Sequence, residues 1–327
     1  MAERSAKKRF ALVWIYCPME SVKRMQLILL TSVALLSLGS GPQLSAQTPA
    51  ATQAAALGKN LQDVYLYWRN AMMTKNYASW KQATASHRKI SLQNRILSEK
   101  GQFPVDIFKT PTPPPALTGL KMLRARSKGA TAKLVYFGKV DFGVGGNPTN
   151  NLLVLNFVLE GRGWKYDNAE FVNLSGLKEV RQQIEAGKMD YVDGEAFIPD
   201  GVKPIQPIVV RPAKYITKVY AFCPGREVQV SVNNISKHRF QDTQQAEVVI
   251  GGGRDGMNDI WFSIKDLPDY KGDDPLTLRV YVFSQVNGVQ PVKVFQYQTK
   301  KGEKPKSTSS ERFMIDAATA AKVLGRK

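Results

Sequence analysis

Proton abstraction beside a carbonyl needs a carboxylate base and a proton donor facing it across a pocket. The residues of the right type in this sequence are Asp141, with Tyr65 or Tyr77 as the donor. Each has a plainer reading. Asp141 stands beside Gly143 and the Gly145-Gly146 pair, where aspartate serves turns through its own side-chain hydrogen bonds. Tyr65 falls on a stripe with Leu61, Trp68 and Met72, which is the packing face of a helix, and Tyr77 precedes Trp80 in a second short helical pattern. These positions predict a container more readily than a catalyst. Trp68, Trp80, Tyr136, Trp164 and Tyr166 are the aromatic side chains available to line it.

Other constellations point to less. Asp266, Asp269, Asp273 and Asp274 offer oxygens to a cation, but their spacing is not that of an EF-hand, so a solvated turn is expected. Gly251-Gly252-Gly253-Arg254-Asp255-Gly256 fits the G-x-G-x-x-G pattern. The phosphate site that this pattern builds needs a helix N-terminus next, and Asn258 to Ile264 reads as a strand, so a hairpin loop is expected. His238 lies in a polar run before Arg239 with no second ligand or nucleophile near it in sequence, and a surface position is expected. Cys223, at a strand end before Pro224-Gly225, reads as a buried structural thiol. No cofactor is implied.

The chain carries 46 Lys+Arg against 27 Asp+Glu, a formal charge of +19. The surplus is spread along the sequence, and a dispersed excess attracts polyanions without selecting one. Lys300, Lys301, Lys304 and Lys306 form its densest run and are the expected contact for an anionic polymer, glycan or lipid surface. Nucleic acid is not expected as a partner, because the N-terminus predicts export. There Lys23-Arg24 precedes the apolar run Met25 to Leu38, followed by Gly39 to Pro42 and then Leu44-Ser45-Ala46. Charge, short apolar core, breaker and small-residue cut are the layout of a secretory signal peptide. The apolar run is shorter than the ~20 residues that span a bilayer, so no transmembrane segment is expected after cleavage. Residues 1–46 therefore read as a signal peptide with an over-long gene start, synthesis beginning at Met19 or Met25. Its removal leaves 40 basic against 25 acidic groups, or +15. Residues 47–58, rich in Ala, Gln and Thr, read as a flexible leader.

The elements that would hold the aromatic residues lie in 59–188. Ile90, Ile96 and Leu97 mark a third helix, broken near Gly101, and Pro104 to Pro115 then cross over to a sheet. Four strands are predicted: Leu117–Arg126, Thr131–Val140, Asn151–Glu160 and Trp164–Val172. Leu152 to Leu155 is apolar on both faces, so that strand should be central. Trp164 and Tyr166 share a face, with Phe171 opposite unless a bulge intervenes. Ser175 is placed to cap a last helix through Leu177, Val180 and Ile184. Helices first and strands after argue for an antiparallel sheet with helices over one face.

That element order, with the Gly161-x-Gly163-Trp164-Lys165 turn at the last hairpin, resembles the nuclear transport factor 2-like superfamily of cone-shaped α+β domains over about residues 59–187. Cystatin-like folds share the same order. The resemblance implies a pocket between helices and sheet, and the superfamily includes isomerases and dehydratases beside binding and assembly modules.

Residues 189–212 carry Pro199, Pro204, Pro207 and Pro212 and read as a linker, with Ile205 to Val210 as an edge strand. From 213 to 327 seven runs at turn-separated spacing predict an all-β sandwich, immunoglobulin-like in architecture only: Tyr215–Phe222, Glu227–Asn233, Ala246–Ile250, Asp259–Ile264, Leu276–Ser284, Val292–Gln298 and Arg312–Ile315. Thr299 to Arg312 reads as a mobile stretch, and Asp316 as the cap of a short Ala-rich helix. The predicted whole is an α+β cone followed by a β-sandwich. As a working molecule it would be a periplasmic or envelope-associated binding or assembly module without catalysis; a pocket isomerase using Asp141 with a tyrosine is the alternative.

Overall fold

The computed structural model describes residues 49–140, 149–268 and 270–325. The expected signal sequence, Asp141 and Asp269 lie outside them. Helices accompany three antiparallel four-stranded sheets, and no described helix is long and apolar enough to cross a membrane. The chain divides into two compact units: residues up to Ala85 with Thr110–Pro204, and Ser86–Lys109 with the chain from Ile205 onward.

The first unit opens with α1 (Pro49–Met73) and α2 (Tyr77–Ala83). Helix α1 begins inside the stretch expected to be flexible. Alanine has the highest helix propensity, and extending a helix already anchored by packing costs little compared with nucleating one. Its anchor is Leu61 and Tyr65, both fully buried. Helix α3 (Ser86–Ser98) follows in sequence but belongs to the second unit.

The sheet of the first unit has the order β1 (Lys121–Lys128), β2 (Thr131–Lys139), β3 (Asn150–Glu160), β4 (Gly163–Val172). Strand β3 is interior, as its unbroken apolar run requires. Leu153, Leu155 and Phe157 pack with Leu61 and Tyr65 of α1 on one face. Leu152 and Val154 pack on the other with Leu174, Val192, Phe197 and Ile184, the last from α4 (Lys178–Glu185). The sheet is therefore covered on both faces, where the sequence pattern had predicted helices over one. Ser175 does not cap α4: the helix starts after Leu177 with no side-chain cap, and the Ser175 amide donates to Asn173 Oδ1.

Register between β3 and β4 shifts at Asn156/Phe157, leaving Asp167 as the extra residue between the Asn168 and Tyr166 pairings. A bulge of this kind reverses the facing of everything beyond it. Phe171 pairs with Leu153, and Tyr166 with Phe157, so the bulge brings Phe171 to the face that Trp164 and Tyr166 occupy.

The second unit holds α3, a short 3-10 helix at Val105–Phe108, two sheets and α5 (Ala317–Val323). Its strands are β5 (Ile216–Phe222), β6 (Arg226–Val232), β7 (Ser236–Gln241), β8 (Gln244–Val248), β9 (Gly256–Asp266), β10 (Thr277–Phe283), β11 (Val292–Gln298) and β12 (Thr308–Ile315). The sheet orders are β11-β10-β5-β8 and β12-β9-β6-β7. Alternate residues of both sheets, among them Val219, Val230, Phe240, Phe262, Val280 and Phe313, form a single core. The period of two in each strand puts these residues on one face.

Four features depart from the sequence pattern. Strand β7 lies where a polar loop was expected. Strand β12 begins at Thr308 and pairs with β9 along its length, so Thr308–Arg312, the last part of the stretch expected to be mobile, is sheet. The glycine-rich segment joins β8 to β9, strands of different sheets, and is a crossing connection, not a hairpin; a Cβ on Gly252, at φ +65, would stand 2.4 Å from the Tyr215 carbonyl oxygen. Residues 205–210 form no strand. Pro204 and Pro207 lack the amides a ladder needs, and the segment is tied to α3 instead: Asn94 donates to the Ile208 carbonyl at 2.7 Å and accepts the Val210 amide at 3.0 Å. Helix α3 also receives the Ala213 amide at Leu97 O and the Gly251 amide at Ser98 Oγ. These bonds account for its place in the second unit. As expected, Asp316 caps α5 by accepting the Thr319 amide at 2.7 Å.

In the first unit, Asp193 takes a bidentate pair from Arg124 at 2.8 and 3.1 Å and a further bond from Arg126. The Arg124 hydrogen bond, then the other contacts of the two guanidiniums, hold the Asp193 carboxyl below its ordinary 3.8. A carboxyl depressed on folding stabilises the fold above its unfolded value and loses that contribution as pH falls through the folded one. Asp193→Asn should therefore lower the urea midpoint at neutral pH and make its decline below about pH 4 shallower than wild type. Parallel midpoint curves for the two proteins would show that the pair contributes nothing.

Candidate functional site

Of the expected ligand-lining residues, Trp68, Tyr136, Trp164 and Tyr166 come together in the first unit's core, where they pack on one cluster with Tyr65. Helix periodicity carries Tyr65 and Trp68 to the buried face of α1, and the β3–β4 bulge sets the phase of Tyr166. The Trp68 and Tyr166 rings lie 4.0 Å apart between centroids, Tyr65 is 5.4 Å from Tyr166, and Tyr65 and Trp68 stack at 5.8 Å. Trp164 packs partly buried against the same cluster, which also includes Tyr136. Trp80, almost wholly buried, stacks on Tyr77.

The hydroxyls of Tyr65 and Tyr136 are committed to the fold. Tyr65 donates its hydroxyl to the Pro115 carbonyl at 2.7 Å, and Arg69 Nε donates to the Pro114 and Pro115 carbonyls at 3.0 and 3.1 Å. The proline-rich crossover is thereby held to α1. Tyr136 donates to Gln62 Oε1 at 2.9 Å. Burial pushes both phenols well above their ordinary value, which makes them poor proton donors near neutrality. Trp68 Nε1–H is buried and finds no partner among the described residues. Asp141 lies outside those residues, so its pairing with a tyrosine has no geometry to report.

A constellation that sequence reasoning missed lies in the second unit. His238 is buried, not on the surface. Its Nε2 is 2.8 Å from Ser236 Oγ, and its Nδ1 is 2.8 Å from Glu247 Oε2. Nucleophile, base and orienting carboxylate stand in the order of a serine hydrolase triad. Acyl transfer also requires approach to the serine oxygen, and here Ser236 is 0% exposed. Its Oγ additionally accepts the Ile250 amide at 2.7 Å. The relay therefore ties β7 of one sheet to β8 of the other, and His238 lies parallel to Phe240 at 6.0 Å inside that tie. The available signal was the alternation Ser236, His238, Phe240, which places all three on one face of a strand.

Of the four carboxylates expected in a solvated turn, the three described have protein partners. Asp266 pairs with the buried Arg226 at 2.9 Å, Asp273 with Lys301 at 3.7 Å, and Asp274 accepts the Tyr270 hydroxyl at 3.2 Å. Arg226 completes this corner by donating to the Asp274 carbonyl and lying over the Tyr270 ring. Among the described residues no three His, Cys, Asp or Glu side chains converge as metal ligands. Lys300, Lys301, Lys304 and Lys306 are all exposed, with Lys306 3.6 Å from Glu311. Cys223 is buried, with its sulfur 3.6 Å from the Thr243 carbonyl, and burial pushes its thiol up, which keeps it unreactive.

Comparison with known proteins finds no matching family model, no matching curated protein and no matching solved structure.

Removing the Ser236 hydroxyl strands two buried groups, the Ile250 amide and the His238 ring. Ser236→Ala should therefore cost about 1–3 kcal/mol in chemical denaturation. A fluorophosphonate probe should leave Ser236 unmodified in the folded wild type, read by peptide mass spectrometry. Labelling at full native stability would mean the relay opens to solvent and is not a structural tie.

Proposed function

We propose that this chain is an exported, non-catalytic binding or assembly module of a cell envelope, built as a cone-shaped α+β domain followed by a β-sandwich. The observation that carries this reading is the ring packing of Tyr65, Trp68 and Tyr166, with the Tyr65 hydroxyl given to Pro115 and that of Tyr136 to Gln62. A turnover site keeps its proton donor available to the substrate. Here the best-placed phenols serve the fold. Export is supported by the charged, apolar and small-residue layout of Lys23 to Ala46. The basic surplus and the exposed Lys300 to Lys306 run supply the contact, directed at an anionic polymer or an acidic face of an envelope protein.

Two measurements test this. N-terminal sequencing of the protein recovered from its native host should begin just after Ala46, and a mature form still starting near Met1 would end the export reading. Binding to dextran sulfate and polyglutamate should be strong at low ionic strength and weaken steeply by about 0.5 M salt, where screening shortens to a few ångströms. Replacing Lys300, Lys301, Lys304 and Lys306 together by Gln should remove most of it. Undiminished binding by that variant would move the contact elsewhere.

A further inference from the structure

The outward face of the sheet β12-β9-β6-β7 carries a feature that charge-driven binding does not use. Ile260, Phe262 and Ile264 of β9 point into the core, so Asp259 and Trp261 point out. Trp261 is 40% exposed. Its cross-strand neighbours are serines on both sides, Ser310 of β12 and Ser231 of β6. Direct cross-strand neighbours are the side chains that normally cover a large residue on a sheet. Two serines cannot, and the indole stands above them.

Around Trp261 runs a groove of about 510 Å³ lined by Ser231, Asn234, Asp259, Ser310 and Arg312, within the ~300–1,000 Å³ span of small-molecule sites. One residue row along the strands, Arg312 Nε meets Asp259 Oδ1 at 3.2 Å, with both side chains largely exposed. The lining thus joins one broad apolar ring to a fringe of hydroxyl, amide, guanidinium and carboxylate groups. A pyranose has the same division. Its axial C–H face is apolar and stacks on an aromatic ring, while its equatorial hydroxyls both donate and accept. A neighbouring donor and acceptor such as Arg312 and Asp259 can bind adjacent hydroxyls in pairs.

The alternatives fit less well. A peptide or protein partner wants a contiguous apolar centre, and Trp261 is the one large exposed apolar side chain lining this groove. A polyanion wants unbalanced positive charge. The lining instead pairs the Arg312 guanidinium with the Asp259 carboxylate at 3.2 Å.

We propose that this face binds a neutral pyranose oligosaccharide, with Trp261 as the stacking platform and Asp259 and Arg312 as hydroxyl ligands. No lysine of the 300–306 run lines the site, and every lining residue belongs to the second unit. Calorimetric titration of the full-length protein with cellohexaose, laminarihexaose, chitohexaose and mannohexaose should show millimolar or tighter binding to at least one. Trp261→Ala should weaken it at least about tenfold, Trp261→Tyr should retain most of it, and Asp259→Asn should lie between. Both positions are on the surface, so unchanged thermal midpoints should accompany these losses. Absence of binding to every member of the panel overturns the proposal. So does saccharide binding that survives Trp261→Ala. Dextran sulfate bound through Trp261 and released by salt would also overturn it, reassigning the groove to a polyanion.

Discussion

A phenol hydroxyl taken wholly out of water must find a hydrogen-bond partner, and that constraint organises the first unit. Tyr65 lies at zero exposure on α1, and the carbonyl that satisfies it belongs to Pro115, fifty residues on. Proline carbonyls are well suited to the task, since a crossover of prolines has acceptors but few donors of its own. Arg69 takes up the Pro114 and Pro115 oxygens beside it. Helix, crossover and sheet are thus drawn together at one point, and the rings of Trp68 and Tyr166 occupy the space beneath. A residue type that suits acid chemistry has become a fastening.

The same economy governs the second unit. Ser236, His238 and Glu247 form a relay whose order matches that of a nucleophilic triad, yet the serine oxygen is closed off and already accepts the Ile250 amide. In a low-dielectric interior such a chain is stable only if every member is satisfied. The Ser236–His238 bond lies within β7, and the other two run from that edge to β8 and to the segment after β8. The relay's physical effect is to hold two sheet edges together. The binding proposed above would use groups that face solvent, the lysine run before β12 and the Trp261 groove.

Much of the architecture was legible because it follows from short-range rules. The alternation in β6 and β10, the apolar run of β3 and the Gly161-Arg162 turn lie at or near the places their patterns require. Less was legible of the site. The aromatic residues could be named from their stripe. Whether they would line a space or fill it depends on bonds such as Tyr65 to Pro115, which no local pattern encodes. Strand β7 was hidden because Lys237, Arg239 and Gln241 dominate its composition, although the alternating Ser236, His238 and Phe240 face inward.

By itself, the amino-acid sequence determined where most of the strands and helices form, which side of those is apolar, and the basic charge of the chain. These depend on periodicity and composition, which are properties of neighbours in the chain. Only the tertiary structure decided that α3 packs with the second unit, that Phe171 joins the face of Tyr166, and that His238 is enclosed between Ser236 and Glu247. Those outcomes turn on a one-residue bulge and on hydrogen bonds such as that from Asn94 to Ile208, between groups more than a hundred residues apart. Such bonds are chosen by what each buried polar group can reach once the cores have closed.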